Sequence, residues 1–379
     1  MKFKVNKKKV YAVVYRFAVS ILLVLLVAIV PSMYFSFKSP IADKFAPKGE
    51  FQGVLELWNI DTFEGGTASK TQFLKQRAIE FEKANKGTYI MVKNMTEKEC
   101  LFALENGQMP AMFSFAVGVG EKILKYLSPM PDLEGNIRAE FLSAGKNQSG
   151  LYAVPWCRGV YSLISTTNKL EKAKVEPQEG LSKVATSSGY QTTLKNKKIK
   201  TTYSLSFGSA GYVCPQLAYS TSFQKLVKNS TSIDLKNLSK TQYEAYCDFV
   251  ENKASILLGT QRDVARIENR ISQGKIDGVI YEHLSSYTDL VQFAGICNTN
   301  SEQIFNVCVE FTSFLISNSC QKKLSNIGMF SVCDENIYSS GVWQQIEQAT
   351  LSECVVQNVF SSAKELADNK ESCIDIQQI

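Results

Sequence analysis

The chain has 379 residues, 45% of them hydrophobic and 21% charged, the proportions of a folded globular protein and not of a disordered one. Its 42 basic residues against 36 acidic ones give a net charge of +6, yet seven of the basic residues and none of the acidic ones fall in residues 1–38. The remainder holds 35 against 36, which leaves no electrostatic footprint for nucleic acid.

In chain order the first element is an uncharged run over residues 17–37, preceded by Lys2, Lys4, Lys7, Lys8, Lys9 and Arg16. A helix of about 20 apolar residues crosses the ~30 Å hydrocarbon core, and a positive flank stays in the cytoplasm. The run reads as a single-pass signal anchor kinked near Pro31, which puts everything after Lys38 on the extracellular face of the cell membrane. Neither an A-x-A-like cleavage site nor a lipid-accepting cysteine follows it. Residues 1–48 are then a cytoplasmic tail, an anchor and a linker.

The roughly 340 residues beyond exceed one typical core and imply two lobes. Residues 53–58 (GVLELW) read as a strand. A helix follows, with Ser69 as cap and Leu74, Ala78 and Phe81 on one face, stopping at Asn85-Lys86-Gly87. Residues 89–93 are a second strand, 97–105 a second helix and 111–115 a third strand; this alternation predicts a largely parallel sheet covered by helices. Residues 151–166 are β-rich and interrupted by Pro155, as an extended crossing between lobes would be. Residues 169–253 are mixed and polar, with the basic run 195–200 as a solvated loop. Residues 254–258 then read as a buried strand, 261–273 as a helix, 278–282 and 290–296 as strands, and the rest as mostly amphipathic helix. Lobe one is expected over 49–155 with a return at 278–306, and lobe two over 156–277 with C-terminal helices at 307–379.

The chemistry-bearing residues argue against catalysis. His283 is the single histidine, which excludes a His-rich metal site and leaves a structural role as its plainest reading. Gly118-Val119-Gly120 lacks the third glycine of a dinucleotide fingerprint and reads as a helix start. Asp61 and Glu64 are close in sequence, but no second carboxylate pair faces them as a glycosidase requires. The ten cysteines form no C-x-x-C pair and read as mostly buried, small apolar residues, with one or two bridges among the C-terminal ones. No cofactor or metal is implied.

Aromatic, amide and charged groups instead cluster at strand ends, where open α/β sheets bind ligands. Trp58, Asn59 and Asp61 follow the first strand; Trp156, Arg158 and Tyr161 lie where the chain crosses between lobes. Tryptophan faces suit the C–H patches of a sugar ring, and Asn, Asp and Arg suit its hydroxyls. Thr260 and Asp263 form a capping-box-like helix start that aims backbone N–H groups, Gln261 and Arg262 at a cleft.

These segments resemble the family 1 extracellular solute-binding proteins, the maltose-binding-protein group. The matching stretches are GVLELWNIDTFEGG with FLKQRAIEFEKANKG, YAVPWCRGVYSLIST, KASILLGTQRDVARI, DGVIYEHL with DLVQFAGI, and FTSFLISNSCQKKLSNIGMFSV. The resemblance implies a two-lobe α/β fold of the type II periplasmic-binding-protein kind with a ligand cleft that closes about a hinge. It implies a non-enzymatic, monomeric protein that binds a sugar and delivers it to ABC-transporter permease subunits. By position, Trp58, Asn59, Asp61, Trp156, Arg158, Thr260, Gln261 and Arg262 would face the cleft, with Trp343 as a further aromatic. A membrane-anchored hydrolase and a binding protein coupled to a sensor kinase are the alternatives.

Overall fold

The computed structural model describes residues 51–172, 242–299, 301–350 and 354–361, apart from 132, 134, 135, 285 and 286, together with 19, 181 and 201–203. The expected anchor, save Val19, and the basic run 195–200 lie outside the described residues. Among the described residues no helix is long and apolar enough to cross a membrane.

The first sheet begins as the sequence pattern predicts, with β1 (Gly53–Ile60), α1 (Lys70–Ala84), β2 (Thr88–Met95), α2 (Glu97–Glu105) and β3 (Met112–Phe115) in succession. Both helix starts are capped: Ser69 Oγ accepts from Gln72 N, and Thr96 and Glu99 form a reciprocal capping box. Strand β1 runs parallel to β2 on one side and to β3 on the other. Two later segments complete the sheet, β4 (Val154–Arg158) and β9 (Val291–Ile296), in the order β2-β1-β3-β9-β4, with β9 antiparallel to both neighbours. Pro155 sits beside a register shift between Gln292 and Phe293, where a residue without an N–H is tolerated.

Alternate residues of β1 serve two cores. Leu55 and Leu57 pack with Phe73, Leu74 and Phe81 of α1. Trp58 and Ile60 pack with Cys100, Ala103 and Leu104 of α2 and with Phe113. Each fully buried side chain of this size contributes about 1.5–3 kcal/mol.

The second sheet consists of β5 (Tyr161–Thr166), β6 (Thr201–Tyr203), β7 (Ile256–Thr260) and β8 (Val279–Leu284), ordered β8-β5-β7-β6. Helix α3 (Gln242–Val250) precedes β7, and α4 (Gln261–Ser272) leaves it directly. Ala245, Phe249, Val264 and Ile267 from these helices cover Ile164 and Leu257 of the sheet. Helix α5 (Glu302–Leu315) packs through Cys308, Phe311 and Leu315 into the core shared with α1, whereas α6 (Gly341–Ala349) packs through Ile346 into that of the second sheet.

Three expectations need correcting. All of β4 belongs to the first sheet, so the first crossing falls at Gly159-Val160 and not at Pro155. Strand β8, expected in the return to lobe one, pairs antiparallel with β5 in the second sheet, and the return begins only near Asp289-Leu290. The expected C-terminal bridges are not formed among the described residues: Cys297, Cys308, Cys320, Cys333 and Cys354 are free thiols, as are Cys100, Cys157 and Cys247. Burial pushes the thiols of Cys100, Cys308 and Cys320 up to about 12, so they remain protonated and behave as small apolar groups.

Candidate functional site

The carboxyl ends of β1, β3 and β4 and the amino end of the antiparallel β9 meet in a buried polar cluster. Asn59 is fully buried because odd-numbered residues of β1 face α1; its Nδ2 donates to Thr71 Oγ1 at 2.9 Å and to Asn94 Oδ1 at 3.3 Å. Lys70, in the first turn of α1, is 1% exposed and donates to Gln292 Oε1 at 2.8 Å. Its ammonium also lies 3.4 Å from Asp61 Oδ1 and 3.3 Å from the centroid of the Phe63 ring. Burial pulls the amine below its ordinary pKa, and Asp61 opposes that pull. Gln292 Nε2 in turn donates to Ser114 Oγ at 3.0 Å and to Ile60 O at 3.2 Å. The cluster therefore ties the loop 61–69 to four strands of the sheet, β1, β2, β3 and β9.

That loop carries the link to the second sheet. Gln261 Nε2 donates to Glu64 O at 2.7 Å while Gln261 Oε1 accepts from Val160 N at 3.1 Å, so one amide spans the loop and the first crossing. Arg262 donates through Nη1 to Gly66 O at 3.0 Å, and Arg266 reaches Glu64 Oε2 at 3.0 Å. Below the loop, Thr67 N donates to Ile327 O at 3.0 Å. Gly66 lies against Gly328, whose φ of +63° favours glycine. A Cβ on Gly66 would fall 2.3 Å from Gly328 O, a backbone atom that cannot swing aside. Gly66→Ala is accordingly expected to lower stability by about 1–3 kcal/mol through overpacking, read as the urea midpoint of the full chain; an unchanged midpoint would show that the loop seats elsewhere.

The start of α4 forms as its sequence predicts: Thr260 N donates to Asp263 Oδ2 at 2.9 Å and Arg262 N to Thr260 Oγ1 at 3.3 Å. The solvent side of this junction is lined by α3 and α4. Tyr243, 61% exposed, stacks on Tyr246 with centroids 6.1 Å apart, and the Arg266 guanidinium lies 5.4 Å from each ring.

Of the residues expected at the cleft, the structure brings Asp61, Gln261 and Arg262 to this junction, whereas Asn59 and Thr260 are buried, Asn59 bonded to Thr71 and Asn94 beneath α1 and Thr260 to Asp263 in the cap of α4. The aromatic anchors are placed differently. Trp58, expected to face a solute, is 2% exposed under α2, edge-on to Phe113 and donating Nε1 to Glu56 Oε2 at 2.9 Å. Trp156 is fully buried, stacked on Phe73 at 5.7 Å with Nε1 donating to Ser114 Oγ at 3.2 Å. Arg158 points away from the junction, between the rings of Phe141 and Phe330, and donates to Ser331 O at 2.9 Å and Thr350 Oγ1 at 3.0 Å. Burial, with Arg138 nearby, pushes its guanidinium down to about 10. Tyr161 sits at the hinge, its hydroxyl donating to buried Asp289 Oδ1 at 2.7 Å. Trp343 stacks on Tyr338 at 5.7 Å, against Phe330. His283 has the expected structural role, sharing a hydrogen bond with Ser162 Oγ at 2.8 Å.

Sequence reasoning missed Phe63, Lys70, Arg266, Gln292 and Tyr243. Two of them carried a signal: a lysine in the first helical turn opposes the helix dipole, and a glutamine inside the apolar run VQFAGI implies a buried partner.

No family model matches the chain, and no curated protein matches it by sequence. Solved structures do. A chitin oligosaccharide binding protein is 13% identical with a TM-score of 0.59 over 86% of this chain and 98% of that one. The cyclic alpha-maltosyl-1,6-maltose binding protein of Arthrobacter globiformis is 10% identical with a TM-score of 0.58 over 86% and 100%. The GacH receptor of Streptomyces glaucescens, solved unliganded and with acarbose, is 12% identical with a TM-score of 0.57 over 87% and 99%. At such identities the likeness establishes architecture, and this chain shares the fold of the maltose-binding-protein-like solute-binding proteins.

Proposed function

We propose that the chain captures a carbohydrate at the junction between its two sheets and delivers it to the permease subunits of an ABC importer. It acts as a monomeric binding protein and not as an enzyme, and residues 17–37 tether it to the extracellular face of the cell membrane. The observation that carries this reading is the convergence of two separate chain segments on one site. The loop 61–69 follows the first strand of the first sheet, and Gln261, Arg262 and Arg266 lie in the first turns of the helix leaving the second. Beside them, the exposed Tyr243 ring offers a flat apolar face and Arg262 and Arg266 offer hydroxyl partners, the combination that a sugar requires. The sugar-binding proteins that share the fold support it.

The test is a thermal-shift screen of the full chain in detergent over mono- and oligosaccharides. A cognate sugar at 100 times its Kd stabilises by about 2.7 kcal/mol, and chromatography should recover it unchanged. A panel without any shift, or a sugar converted to product, would overturn the proposal.

A further inference from the structure

Glu64 makes an imperfect partner for the two arginines that hold it. Arg262 Nε lies 2.9 Å and Arg266 Nη2 3.0 Å from the same carboxylate oxygen, Oε2. The Arg262 Nε–H is buried, and its alignment with that oxygen is too poor for a hydrogen bond, so it has no hydrogen-bond partner among the described residues. Glu64 itself is 54% exposed on a loop that contains Gly65 and Gly66. Guanidinium groups pair best with a carboxylate that offers both oxygens in a fork; here two of them compete for one oxygen of a half-exposed side chain.

The remaining charges around the pair are already engaged. Asp263 is fully buried, accepts from Thr260 N at 2.9 Å to close the capping box, and pairs with Arg266 Nη1 at 3.2 Å. Arg270 donates Nε to the Tyr246 hydroxyl at 2.7 Å. Without Glu64, therefore, Arg262 and Arg266 would face the junction with Asp263 as their remaining counter-charge, at a helix start that itself favours anions.

We infer that Glu64 occupies the place of an anionic group on the solute, and that the carbohydrate this chain selects is an acidic one, carrying a carboxylate such as a uronate. The inference rests on the carbohydrate reading above and sharpens it to a substrate class. The acidic sugar places its carboxylate between Arg262 and Arg266, giving Arg262 Nε the aligned acceptor that Glu64 does not provide, while its ring lies toward Tyr243. Glu64, on its exposed loop, moves into solvent.

The experiment is calorimetric titration of the full chain with matched pairs: glucuronate against glucose, galacturonate against galactose, and digalacturonate against galactobiose. One acidic member should bind at least tenfold tighter than its neutral twin. Arg262→Gln and Arg266→Gln, titrated below their melting temperatures so that the protein is folded, should each reduce that preference about tenfold, and Glu64→Gln, which removes the internal competitor, should strengthen the acidic member's binding. If a neutral sugar binds as tightly as its acidic twin, or Glu64→Gln weakens the acidic one, the inference falls and the carbohydrate reading stands. Binding of no carbohydrate by a folded chain would remove both.

Discussion

Trp156→Ala should lower the unfolding free energy by about 3–5 kcal/mol, the cost of deleting a large buried aromatic whose site cannot collapse. Trp156 is fully buried on β4, the last strand of the first sheet, with its ring parallel to Phe73 at 5.7 Å and an interplanar angle of 6°. Truncation leaves a void between sheet and α1, strips Ser114 Oγ of its indole donor, and loosens a polar cluster that also holds Gln292 and Lys70. Against a typical total of about 5–15 kcal/mol, such a loss shifts the urea midpoint far enough to measure directly. Trp156→Phe separates the contributions, since it keeps the stack and loses only the hydrogen bond, worth about 1 kcal/mol plus whatever cavity remains. A parent-like midpoint for Trp156→Ala would show that the tryptophan is a solvent-facing platform, as its position between the lobes first implies.

Trp156 also shows where sequence reading succeeds and where it stops. The alternation of strand and helix from β1 to β3 was legible because periodicity and caps are local: Ser69, Thr96 and Thr260 each act within four residues. The carboxyl-end rule then pointed to a region where Asp61, Gln261 and Arg262 do come together. The face on which a strand residue points was not legible. Trp58 and Asn59 are neighbours, yet one lies under α2 and the other under α1, and only the register of β1 with β2 and β3 decides which. Lys70 and Gln292 escaped notice for a related reason: 222 positions separate them, and a buried amine becomes sensible only once its partners are in place. The position of β8 was misread because its pairing with β5 is non-local and leaves no mark on its composition.

Stability between about pH 4 and pH 7 should respond in opposite directions to Asp289→Asn and His283→Gln. Asp289 lies at the second crossing, where burial pushes its carboxyl up to about 7 and hydrogen bonds from the Tyr161 hydroxyl and its own backbone N–H offset little of that. The folded state therefore favours the protonated acid. This contribution is fully present below the ordinary carboxylate range near 3.8 and is lost as pH rises through about 7. His283 behaves in the opposite sense. Burial against Tyr281 pushes its imidazole down to about 4, so the folded state favours the neutral ring, and that contribution is present above about 6.5 and is lost as pH falls through about 4. At 1.36 kcal/mol per unit each effect is on the order of 3 kcal/mol, and over the same window the two slopes nearly cancel in the parent protein. Asn at 289 keeps an acceptor for Tyr161 and Gln at 283 keeps a partner for Ser162, so neither variant disturbs more than the titration. Relative to the parent, Asp289→Asn should lose stability on acidification from pH 7 to pH 4, and His283→Gln should gain it. Urea unfolding at pH 4.5, 5.5, 6.5 and 7.5 measures both; parallel profiles for the parent and either variant would show that the substituted group titrates normally, and hence that water reaches the hinge or the edge of the second sheet.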